Sequence, residues 1–167
     1  MINSIKKIIL PLVIIALLSC SKPILVNSTP MSSHSRGAET NLIGMEKNIL
    51  YYINQHRRSI GLSDLVMLEP ASQKATEHSV DMAKRSTGFG HDGFEKRVKY
   101  ISQKTGAVSA AAENVAYGQM SAREVVDGWL HSPGHRKNIE GHYTYTGIGL
   151  ARDRDGVIYF TEIFIKR

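Results

Sequence analysis

The stretch Trp129-Leu130-His131-Ser132-Pro133-Gly134-His135-Arg136-Lys137-Asn138-Ile139 decides how this chain is read. It gains meaning from two earlier pieces, Gly90-His91-Asp92 and Ala112-Glu113-Asn114-Val115-Ala116. Together they offer imidazole, carboxylate and imidazole from three separate segments, which a compact fold can bring to one cleft. Imidazole binds a metal or moves a proton near neutral pH, and a carboxylate can orient it. His91, Glu113 and His135 are therefore the candidate site, whether catalytic or metal-holding.

Around these motifs the chain changes period. Met45, Ile49, Tyr52, Ile53 and His56 fall at helical spacing and predict a first helix from about Leu42 to Ser59. Pro70 suits the first turn of a second helix whose Ala71, Ala75, His78, Met82 and Arg85 share a face. Asp92-Gly93-Phe94-Glu95 reads as a capping box before a short helix burying Phe94, Val98 and Ile101. Ser121-Ala122-Arg123-Glu124 is a second such box, opening a helix with Val125, Val126 and Trp129 that ends before Pro133. Residues 147–152 and 157–165 are β-rich and flank Asp155-Gly156, a hairpin signal because both residues tolerate positive φ. Residues 114–117 supply a further short strand. Helices first and antiparallel strands last predict an α+β domain.

The N-terminal part reads as an address. Lys6 and Lys7 precede an apolar run from Ile8 to Leu18, shorter than the ~20 residues that span a membrane. Leu17-Leu18-Ser19-Cys20 resembles a bacterial lipobox, so residues 1–19 read as a lipoprotein signal peptide and Cys20 as the acylated residue. Cys20 is the only cysteine, which excludes a disulfide within the monomer. Residues 20–40 then form an anchored, flexible tether with a reach of roughly 25 Å, and residues 41–167 one domain. Ser21, at the position where some bacteria read an aspartate as an inner-membrane retention signal, favours the outer membrane or cell surface. The formal charge of +6 is spread over pairs such as Arg57-Arg58, Lys84-Arg85, Lys96-Arg97 and Arg136-Lys137. Such scatter reads as solvated surface, and export argues against nucleic acid as partner.

The three motifs resemble the signature of the CAP superfamily (SCP/TAPS; cysteine-rich secretory, antigen 5 and pathogenesis-related-1 proteins) in a short bacterial lipoprotein form. The match covers roughly Leu42 to Ile165. The resemblance implies a three-layer α-β-α sandwich with a small antiparallel sheet. It also implies a cleft in which His91, Glu113 and His135 match three members of a tetrad of two histidines and two glutamates. The second glutamate should follow the tryptophan, but Leu130-His131-Ser132 stands there, leaving Ser132 as the nearest stand-in. Asn114, Ser132, Arg136 and Asn138 are the expected cleft support, with Arg136 a candidate partner of Glu113. Gly141-His142-Tyr143-Thr144 repeats the wording of a family motif, yet His142 lies too near the Gly147-Ile148-Gly149 strand to fill that role.

Several functions fit this pattern. His91 and His135 can hold zinc, with Glu113 as third ligand or orienter, in an open and weak site. The same residues can act in a zinc-dependent hydrolase with Glu113 activating water, or can simply hydrogen-bond loops to the domain body. No His-Glu-x-x-His helix and no Gly-x-Ser-x-Gly elbow is present, so protease and esterase templates fail. No residue pattern establishes an enzyme or a required cofactor. The leading expectation is a monomeric, lipid-anchored binding or surface-interaction module whose ligand is a lipid, a glycan or a host protein. Sterol or fatty-acid binding is an alternative drawn from the resemblance.

Overall fold

A computed structural model of the chain describes residues 33–167, with side chains from 42 onward except 43. The leader, Cys20 and most of the tether lie outside the described residues. Nine elements follow: α1 (Ser33–Ser59), β1 (Val66–Met67), α2 (Glu69–Ala83), α3 (Phe94–Thr105), β2 (Ala110–Tyr117), α4 (Ala122–His131), α5 (Pro133–Ile139), β3 (Tyr145–Arg152) and β4 (Ile158–Lys166). The α+β class holds. α1 starts at Ser33 rather than Leu42, so residues 33–40 of the expected tether are helical. α5, which carries His135, is an element that the sequence pattern did not announce.

The sheet runs in the order β1-β3-β4-β2. β2 and β3 both pair antiparallel with β4, whereas the two-residue β1 lies parallel to β3. The expected antiparallel sheet is thus mixed, because the chain leaves β1 through α2 and returns to its side only after β2. Side-chain alternation divides the core in two. Ile148, Leu150, Ile158, Phe160 and Phe164 face α1 and α4 through Ile49, Ile53, Val125 and Trp129. Ile163 and Ile165 face Ala71, Ala75 and Ile101 of α2 and α3. Helices cover both faces, which makes the expected three-layer sandwich.

Helix α2 lies unusually close to β3. A Cβ on Gly147 would sit 2.1 Å from the backbone of Ala71, and one on Gly149 would sit 2.0 Å from the Thr76 amide nitrogen. Ser79, fully buried, donates to the Gly149 carbonyl at 2.9 Å and fixes this approach. Local signals fare unevenly. Ser121 accepts from the Glu124 amide at 3.2 Å, as a capping residue should. Glu124 reaches back one residue further than expected, to the Met120 amide at 2.8 Å. The other box fails: Gly93, at φ 79°, precedes α3 and no side chain caps the helix. In the β3–β4 turn only Gly156 takes positive φ, 86°. Asp153, not Asp155, organises that turn by accepting from the amides of Asp155 and Val157.

Candidate functional site

Strand β2 positions the centre of the site. It is an edge strand of the sheet, and the carbonyls of Glu113 and Val115 face away from β4. That edge is not left open. Asn138 of α5 donates to the Glu113 carbonyl at 3.2 Å, and the Trp129 indole to the Val115 carbonyl at 3.4 Å. Asn138 also donates to Asn114 Oδ1 at 2.9 Å, while Asn114 Nδ2 reaches the His135 carbonyl at 3.2 Å. These bonds hang α5, and with it His135, on the edge of β2. Asn114 and Asn138 thus join α5 to the edge of β2.

Alternation along β2 sends the Glu113 side chain to the opposite face from Asn114, the face covered by α2 and α3. There its carboxylate, 2% exposed, meets three donors. His91 Nδ1 lies 3.0 Å from Oε1, Arg97 Nη2 lies 2.7 Å from Oε1, and Arg97 Nε lies 2.9 Å from Oε2. The guanidinium thus holds both carboxylate oxygens in the two-pronged geometry that suits arginine. Its Nη1 donates to the Asp92 carbonyl at 2.8 Å, so the same side chain fixes the loop carrying His91. His78 braces that loop from below, its Nε2 standing 2.8 Å from the Gly90 carbonyl. Burial holds the His78 imidazole below its ordinary pKa.

His135 completes the cleft from the other side. Burial first, and the neighbouring His91 second, hold its pKa below the usual histidine range. His135 is thus carried by the α5 anchored to β2, and His91 by the loop that Arg97 ties to Glu113. Partly buried His135 and half-exposed His91 leave ring nitrogens that can accept or donate a hydrogen bond.

Three expectations are corrected. Arg136 does not meet Glu113; it points away and pairs with Glu140 at 2.7 Å, one helical turn on, where His56 joins at 2.9 Å. Arg97 already fills the seat at Glu113. Ser132, expected to stand in for the missing acid, lies between α4 and α5 and offers a hydroxyl but no carboxylate. Nor are the scattered basic pairs all solvated: Arg97 and Arg57 are buried. Arg57 donates to the carbonyls of Ser63, Ile139, Gly141 and Tyr143 and clamps the segment that links α5 to β3. Both arginines sit on apolar stripes, Arg97 among Phe94, Val98 and Ile101 and Arg57 one turn after Ile53. That spacing was the available signal. Exposed His142 and His131 lie outside the cleft network, and Trp129 is core. A surface hollow of about 720 Å³ borders the outer side of α5 and includes neither His91 nor Glu113.

As to a metal, the described residues hold no group of three or more His, Cys, Asp or Glu side chains arranged to take one. Glu113 fits the ligand role poorly because Arg97 engages both its oxygens. The two imidazoles remain as the whole of any nitrogen donor set.

The α-β-α sandwich built on this four-stranded mixed sheet defines the class of domain. The chain belongs to the CAP family (cysteine-rich secretory protein family), whose model matches residues 50–164. It is 34% identical over 134 residues to the uncharacterized membrane protein YlbC of Bacillus subtilis, covering 73% of this chain and 34% of that one. Among solved structures it resembles an SCP-domain extracellular protein of Bacillus anthracis at 25% identity and TM-score 0.68, over 84% of this chain and 45% of that one. It also resembles an outer surface protein of Borrelia burgdorferi at 22% identity and TM-score 0.64, over 72% of this chain and 91% of that one. The chain thus spans less than half the length of the two Bacillus proteins.

Proposed function

We propose that this chain is a lipid-anchored, extracytoplasmic CAP module that binds a ligand at the cell surface without transforming it. The observation that carries this reading is the pairing of Arg97 with both oxygens of Glu113. A carboxylate held in this way, and almost wholly out of solvent, is a poor base for activating water, because its lone pairs are committed. Its role is to orient His91, whose ring is left half exposed. The Bacillus anthracis relative is described as extracellular and the Borrelia relative as an outer surface protein, which supports placement outside the cytoplasm. Among the described residues no helix is long and apolar enough to cross a membrane; the lipobox-like Leu17-Leu18-Ser19-Cys20 supports attachment through an acylated Cys20.

The test has two parts. Protease treatment of intact cells should remove the domain, and mass spectrometry of the mature chain should find Cys20 acylated. The purified chain, with and without added zinc, should leave ester, peptide and glycoside substrates intact. Hydrolysis that disappears in His91→Ala and His135→Ala would overturn the reading.

A second reading, a weak zinc site, draws on one observation: His135 is held neutral beside His91, and neutral imidazole is the form that binds metal. Zinc titration distinguishes the two. Uptake that survives the double substitution of both histidines would reject the site.

A further inference from the structure

One face of the molecule beyond the cleft carries an unexplained group of rings. Glu113, Val115 and Tyr117 share a face of β2, and Tyr117 lies opposite Tyr159 of β4. The two tyrosine rings stack with centroids 5.6 Å apart, and Phe89 meets Tyr117 edge-on at 4.8 Å. Phe89 and Tyr117 are each more than half exposed. Phe89 stands two residues before His91 in the chain.

Two further features share these segments. Thr87 Oγ1 and Gln119 Oε1, each two residues from one of the exposed rings, are buried without a hydrogen-bond partner. Unpaired buried oxygens cost about 1–3 kcal/mol each. The segments that bear the rings also bear cations. Lys84 and Arg85 lead into Phe89, and Arg152 and Arg154 lead into Tyr159. These four line a cavity of about 630 Å³ with Asp153 and Asp155. Asp153 is already engaged by two backbone amides, and Asp155 lies 3.9 Å from Arg85. The cations are therefore in excess.

We infer that the Phe89–Tyr117–Tyr159 platform and the adjoining basic cavity form a binding site for an acidic glycan chain. Sugar rings present flat C–H faces to aromatic rings, and carboxylates or sulfates to guanidinium groups. A strand-like peptide fits less well, since the outward carbonyls of Glu113 and Val115 are occupied by Asn138 and Trp129. A lipid tail calls for an enclosed apolar groove, and these rings lie open.

The inference rests on the surface-module reading above but fails separately from it, because its readout is binding by the purified chain. The full chain is passed over surfaces bearing heparin, alginate or uncharged dextran. Saturable binding to at least one acidic glycan, and none to dextran, is expected. Phe89→Ala with Tyr117→Ala should weaken it at least tenfold, Arg152→Ala with Arg154→Ala should weaken it and flatten its salt dependence, and Tyr117→Phe should preserve it. Thermal melting of each variant checks the fold. No saturable binding to either acidic glycan, or binding that survives loss of both rings in a folded variant, would overturn the proposal.

Discussion

At the residue scale, the pairing between Arg97 and Glu113 governs the cleft. Both partners are nearly buried, so removing one strands the other's charge in a poorly hydrated place, at a typical cost of roughly 3–5 kcal/mol. Arg97→Ala should lower the urea midpoint accordingly. Arg97→Lys should recover little, since a single ammonium cannot bond both oxygens and the Asp92 carbonyl together. His135 offers a second check. Its pKa is lowered partly by His91, so His91→Asn should raise the His135 midpoint in an NMR titration. An unmoved midpoint would mean that the two rings do not sense each other. His91, Glu113 and His135 could be read from the sequence because their motifs are local and distinctive. Arg97 could not be read as easily, because Lys96-Arg97 looks like any solvated basic pair until its place on the Phe94–Ile101 stripe is noticed.

At the scale of elements, α2 and β3 show how small residues decide an approach. Gly149→Ala would drive its methyl into the Thr76 backbone, and neither helix nor strand can yield without losing contacts elsewhere. Overpacking of this kind typically costs ~1–3 kcal/mol, and a backbone obstacle places it at the upper end or beyond. Thermal unfolding of Gly149→Ala should show that loss, and an unchanged melting temperature would refute the close packing. The long helices and the β3–β4 hairpin were legible because their apolar periods run for many residues. α5 and β1 were not. Seven residues beginning Pro-Gly, and two residues of strand, are too short to express a period, and their form comes from tertiary contacts with β2 and β3. The Asp92 box misled because Gly93 takes a left-handed conformation that carries Asp92 away from the helix start.

For the whole molecule, the buried titratable groups set the response to pH. Glu162 lies fully buried in β4, accepts from Thr146 at 3.0 Å and has one oxygen unpartnered; burial raises its pKa to about 8. It stays protonated in the native state while the unfolded chain ionises it from about pH 4.5. The folded state therefore holds the extra proton, and stability falls as pH rises through that window, on the order of 1 kcal/mol per unit. Glu46, raised to about 7 by partial burial and then by Glu69, adds to the same trend more weakly. His78 and His135 act in the opposite sense. Both are held neutral, so below about pH 6.5 the unfolded chain binds the extra protons and stability falls with acid. Urea unfolding across pH 4–9 should thus show decline towards both ends, and Glu162→Gln should flatten the alkaline limb. The layered architecture was implied by the family resemblance of the three motifs, and the two buried faces of the final strands accord with it. The charge buried between the layers was not.

The Arg57 clamp has a consequence for how this family member tolerates change. α5 hangs between two supports, the asparagine contacts at β2 and a single guanidinium reaching from the first helix to three carbonyl groups at and beyond its end. A substitution at Arg57, remote from His135 in the chain, would release one end of that suspension and let the imidazole drift while the core stayed packed. Screens for variants that lose recognition should therefore return hits in the opening helix, and those proteins should still melt cooperatively.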